Sequence, residues 1–86
     1  MSAPPHFILY SRSWCHLCDD MHQALLAFRA EFGFTVEVVD VDADPTLVAL
    51  YDELVPVLVG NKSGGPPSQI CHYFLDEAKL RAFFTS

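Results

Sequence analysis

The sequence predicts an α/β fold: a mixed four-stranded sheet flanked by helices, with elements in the order β-α-β-α-β-β-α. Three observations carry that reading. Short apolar runs rich in β-branched or aromatic residues alternate with stretches of helical period, the pattern of a βαβ unit. A proline stands at the entrance of the third such run, and a loop of Gly, Pro and Ser separates it from the fourth, the pattern of a hairpin. A last amphipathic segment then closes the chain.

The first strand is His6 to Tyr10 (HFILY), aromatic-rich and followed at once by SRS. From Cys18 to Phe32 the apolar residues Met21, Ala24, Leu25, Phe28 and Phe32 recur at spacings of three and four. This is an amphipathic helix, with Gly33 as its expected C-cap. Thr35 to Val41 (TVEVVDV) is the second strand. Asp44 and Pro45 form an N-cap and N1 pair for a short second helix, whose apolar face is Leu47, Val48, Leu50 and Tyr51 and which Asp52 and Glu53 end. Val57 to Val59 is the third strand, Gly60 to Ser68 (GNKSGGPPS) a loop, and Gln69 to Phe74 the fourth strand. Asp76 caps a final helix running to Phe84, with Leu75 and Leu80 placed as a hydrophobic staple. No repeat or linker interrupts the chain, so residues 1–86 are expected to form a single domain around one core.

Hydrophobic residues make up 51% of the chain and charged residues 19%, a balance that folds rather than stays disordered. Eleven acids against five bases leave a formal charge of -6, so no nucleic acid and no anionic membrane is expected as a partner: binding phosphate takes a basic face. No apolar run approaches the roughly 20 residues of a membrane span, and MSAPPHF has neither a basic leader region nor a long apolar one. A cytoplasmic monomer is expected. Three cysteines without an export signal argue against a disulfide scaffold and leave thiol chemistry or metal binding.

The chemistry concentrates in SWCHLC, residues 13 to 18. It lies at the carboxyl end of the first strand and opens the first helix, the place where open α/β sheets put their sites. At a helix start, unsatisfied backbone N–H groups and the positive end of the dipole stabilise an anion, so Cys15 is placed to be a thiolate. Cys18, one turn on, is shielded by the helix yet close enough to attack a mixed disulfide formed at Cys15. Cys15 is then the nucleophile and Cys18 the resolving thiol. Arg12 and His16 are nearby cations that can support the thiolate, with solvated surface as the other reading for Arg12 and an ordinary exposed loop residue for His16. Asp19 and Asp20 pull against the thiolate and also complement the helix dipole. Trp14 is read as a flat apolar lid beside the thiols, with a plain core residue as the alternative. Cys71, in the fourth strand, reads as a buried and inert thiol.

With these residues in view, the whole chain resembles a glutaredoxin-like protein of the thioredoxin-fold superfamily, a three-layer fold. LYSRSWCHLC (Leu9 to Cys18) is similar to that family's strand, loop and CxxC, and LVPVLVG (Leu54 to Gly60) to its proline loop and third strand. The resemblance implies a cis Val55-Pro56 bond packed against the CxxC, with the Val55 backbone pairing with an extended substrate. It implies a thiol-disulfide oxidoreductase acting in cell redox homeostasis on disulfide-containing proteins or small thiols. The substrate-binding set would be Trp14, His16, Val55, Pro56 and Asp76. No tightly bound cofactor is implied; a reductase or glutathione would donate electrons. The chain departs from the family in three places, one being that FILY in the first strand has no buried acid of the kind thioredoxins use as a base for the resolving thiol. His16-Leu17 replaces the usual residues between the cysteines. The Gly-Gly-Asp-like turn with which glutaredoxins hold glutathione reads Phe74-Leu75-Asp76, leaving Asp76 and the following helix start to receive part of it.

Two other readings stay open. A metal or iron-sulfur module could use Cys15 and Cys18 with His16 or His22, although structural zinc usually takes four ligands and no second CxxC is present. A thioredoxin-like adaptor could bind partners without turnover.

Overall fold

Strand β1 (His6–Ser11) runs through the middle of a four-stranded sheet of order β2-β1-β3-β4. The computed structural model describes residues 4–62 and 65–85; Ser63 and Gly64 of the expected loop lie outside the described residues. β2 (Thr35–Asp40) lies parallel to β1, with His6 opposite Thr35 and Ser11 opposite Asp40. β3 (Val57–Asn61) lies antiparallel on the other side, pairing Phe7 with Gly60 and Tyr10 with Val57. β4 (Ser68–His72) pairs antiparallel with β3 through a register shift between Leu58 and Val59, where Cys71 and then Gln69 are the partners. The mixed α/β sheet and its element order are those predicted.

Alternation along β1 sorts the two faces. Phe7 and Leu9 point into a core shared with Met21 and Leu25 of α1 (His16–Leu26), with Leu58 of β3, and with Leu80 of α3 (Glu77–Thr85). Phe7 meets Phe34 edge-on at 5.2 Å and Phe84 at 5.6 Å, so an aromatic cluster closes the end of this core opposite the cysteines. Tyr10 points to the other face and stacks on Tyr51 of α2 (Pro45–Tyr51) at 4.5 Å. Helices α1 and α3 thus cover one face and α2 the other, giving three layers.

The caps are local and fall where expected. The Asp44 carboxylate accepts the Thr46 N–H at 2.9 Å with Pro45 in the first turn of α2, and the Asp76 carboxylate accepts the Lys79 N–H at 3.0 Å. Leu75 packs against the core that holds the fully buried Leu80, as the staple requires.

Four boundaries differ from expectation. The first helix stops at Leu26 and tightens into a 3-10 turn over Ala27–Ala30, so Gly33 is not its C-cap. Phe28 and Phe32 still sit one turn apart, joined by a 2.8 Å bond from the Phe32 N–H to the Phe28 carbonyl. The second strand ends at Asp40, whose carboxylate accepts the Asp42 N–H and starts another 3-10 turn, Val41–Ala43. The third strand runs on to Asn61, taking in Gly60. The fourth ends at His72, because Tyr73 adopts a left-handed conformation (φ 64°) that breaks the extended chain.

Candidate active site

The turn between β1 and α1 brings Cys15 to the N-cap of the helix. Trp14 is left-handed (φ 61°) and Cys15 extended (φ -108°, ψ 103°), so the chain folds back into α1 within the CxxC itself. The Cys18 backbone N–H donates to the Cys15 Sγ at 3.1 Å, the N-cap bond usually made to an oxygen. Cys15 and Cys18 are joined as a disulfide, their Cα atoms 5.2 Å apart. The two sulfurs are unequally placed: Cys15 is half-buried, whereas Cys18 is 3% exposed beneath α1.

Further residues of the expected site lie at the start of α1, in the proline loop and at the start of α3. His16 is the exposed first residue of α1. The Val55-Pro56 bond is cis, and Pro56 is fully buried. The Val55 N–H is bonded back to the Tyr51 carbonyl at 3.1 Å, so that group is already satisfied within the chain. The Pro56 carbonyl accepts the Tyr73 N–H at 2.9 Å, fastening the proline loop to the end of β4. Asp76 caps α3 and is half-buried.

Two residues are not where the sequence reading puts them. Trp14 forms neither a lid nor a core contact: its side chain is 101% exposed, carried outward by the turn that delivers Cys15 to the helix. Arg12 is bound elsewhere. Its guanidinium grips the Asp42 carboxylate through Nη2 at 2.8 Å and Nε at 3.3 Å, and pairs also with Asp52. These hydrogen bonds, Asp42 first, raise an already high pKa. Arg12 therefore ties the end of β1 to the turns flanking α2.

Cys71 is 6% exposed in β4, and burial pushes its thiol up. Among the described residues, no three His, Cys, Asp or Glu side chains are grouped to hold a metal ion, and no helix is long and apolar enough to cross a membrane.

A residue that sequence reasoning passed over is Tyr73. Its hydroxyl donates to the Glu53 carbonyl at 2.6 Å, so side chain and backbone together join the corner after β4 to the segment before Pro56. The only hint in the sequence is its position just before Phe74-Leu75-Asp76.

A mixed sheet of this order, a CxxC at the first helix start and a cis-proline at the entrance of β3 define a thioredoxin-fold domain. The chain belongs to the family described as Glutaredoxin-like domain (DUF836), which it matches over residues 6–85. It is similar to the solution structure of protein Ne2328 from Nitrosomonas europaea, at 32% identity and TM-score 0.81, covering 96% of this chain and 94% of that one. It is similar also to protein XcR50 from X. campestris, at 32% identity and TM-score 0.59, covering 92% and 95%. Chloroplastic thioredoxin z shares the fold at 21% identity and TM-score 0.72, covering 95% of this chain and 76% of that one. No curated protein matches the chain.

Proposed function

We propose that this glutaredoxin-like domain is a thiol-disulfide oxidoreductase with Cys15 as nucleophile and Cys18 as resolving thiol. The observation that carries the reading is the Cys18 N–H aimed at the Sγ of the partly buried Cys15 while Cys18 itself is buried. In the dithiol form the same N–H and the dipole of the 11-residue helix α1 favour negative charge on Cys15. Burial limits an incoming disulfide to Cys15.

The Cys15 thiolate attacks one sulfur of a substrate disulfide, forming a mixed disulfide and releasing the other sulfur as a thiolate that takes up a proton. Cys18 then loses its proton and attacks the Cys15 sulfur. The second substrate thiolate leaves and is protonated, and the Cys15–Cys18 disulfide remains. The substrate gains two electrons and the protein loses two. A thiol reductant, either a dithiol protein or glutathione, restores the dithiol form. This cycle fits a reducing compartment such as the cytoplasm. In it, His16, Val55, Asp76 and the exposed Trp14 form the rim that a substrate meets, with Pro56 buried next to Val55.

The test is the pH profile of alkylation of the reduced protein, with Cys18→Ser as companion. Cys15 should react well below the ordinary thiol pKa of about 8.5, and the variant should accumulate a mixed disulfide with substrate. A Cys15 no faster at acidic pH than a free cysteine, together with no trapped adduct, would sink the reading.

A further inference from the structure

A groove of about 230 Å³ lies between α1 and the corner after β4 and takes in Leu17 of the CxxC segment. One wall is a stripe of α1, Leu17, Asp20 and Ala24, at the three- and four-residue spacing that shares a helix face; the other is the corner after β4, with Tyr73 and Phe74. Leu17 stands between the two cysteines in the chain, so the groove begins within the CxxC segment. Its lips are apolar and open to solvent, Leu17 at 38% and Phe74 at 68% exposure.

The charge in and around it has one sign. Asp20 is the only charged residue among those lining the groove, and Asp19 lies beside it in the first turn of α1. Neither takes part in an ion pair among the described residues, while Arg12 is held by Asp42 and Asp52, and Arg81 by Glu31 and Glu77. Beyond Phe74 a second hollow is lined by Asp76 and Glu77 together with Lys79 and His72. A substrate lying along this path meets apolar surface and carboxylates, and no cation in the groove itself.

We infer that the groove takes an extended polypeptide segment of apolar and basic residues flanking a disulfide cysteine, and that it selects such a segment over glutathione disulfide. Glutathione disulfide carries more carboxylates than ammonium groups, so Asp19 and Asp20 oppose its approach, whereas a Lys or Arg near the attacked sulfur is attracted. The apolar lips receive a neighbouring aliphatic or aromatic side chain. The exposed indole of Trp14, next in the chain to Cys15, adds a surface that attracts cations. The inference rests on the redox reading above and names its substrate class.

The test uses the full reduced chain and two peptide disulfides that differ only in the residue next to the attacked cysteine's Leu neighbour, Lys in one and Glu in the other, with glutathione disulfide as third oxidant. Single-turnover formation of the Cys15–Cys18 disulfide is followed, and each rate is divided by that with dithiothreitol to remove intrinsic reactivity. The Lys peptide should react fastest, with a preference over the Glu peptide that shrinks as salt rises. Asp20→Asn, a change on the solvent face of α1, should cut that preference by about two- to fivefold, the weight of one exposed charge pair. Equal normalised rates, or a preference untouched by both salt and Asp20→Asn, overturn the inference and leave the redox reading standing. Failure of all three disulfides to oxidise the reduced protein overturns the redox reading instead.

Discussion

The phenol of Tyr73 and the carbonyl of Glu53 lie 2.6 Å apart across 20 residues of sequence, and their hydrogen bond braces the proline loop against the corner after β4. The Tyr73 N–H bond to Pro56 makes it a double fastening. Tyr73→Phe keeps the ring and loses one bond. It should cost about 0.5–1.5 kcal/mol, toward the low end because the site is exposed, with little change in far-ultraviolet circular dichroism. Urea unfolding measures it, and a variant as stable as the parent would show that the phenol braces nothing.

The three thiols should separate cleanly by reactivity. Burial raises the pKa of Cys71 above its ordinary value of 9.0. The folded, reduced protein should therefore take up alkylating agent at Cys15 long before Cys71, which should label only in denaturant. The sign for stability follows from the same shift. The folded state favours the neutral thiol and the unfolded state ionises first, so the contribution is complete below about pH 8.5–9 and is lost as pH rises through the raised value. The stability gap between the parent and Cys71→Ala should narrow over that range. A gap that widened with rising pH would contradict the assignment.

Gly60 is a packing requirement of the sheet. A Cβ there would come within 2.7 Å of Ile70 Cδ1, 2.8 Å of Phe83 Cζ and 3.0 Å of Phe7 Cε1. Ile70 can turn aside, but the two rings cannot both do so inside a filled core. Gly60→Ala should lose about 1–3 kcal/mol, read by thermal or urea unfolding, and Phe83→Leu introduced with it should return part of the loss. A neutral Gly60→Ala would mean that the aromatic cluster is looser than its ring distances imply.

What the sequence discloses here is what short stretches decide. Asp44-Pro45 and Asp76 specify helix starts within one turn, the aromatic and β-branched runs HFILY and TVEVVDV specify strands, and the CxxC falls at the strand-to-helix junction because both neighbours are strong signals. The misread features depend on distant or competing residues. Arg12 finds its acids 30 and 40 positions away. The apolar period through Phe28 and Phe32 survives a switch from α to 3-10 geometry, so periodicity alone could not place the helix end. The left-handed turns at Trp14 and Tyr73 defy the preference of aromatic residues for extended backbone. Both flank the groove region of the thiol pair, which is where local preference is most often overridden.

The exposure of Trp14 has a practical side. It is the single tryptophan of the chain, it stands in water, and its neighbour is one half of the disulfide. Emission from the protein thus comes from one indole adjoining the sulfurs that exchange, and the chain carries its own optical indicator. With tryptophan-free peptides as oxidants, each turnover can be watched in solution without a dye, a label or a coupled enzyme.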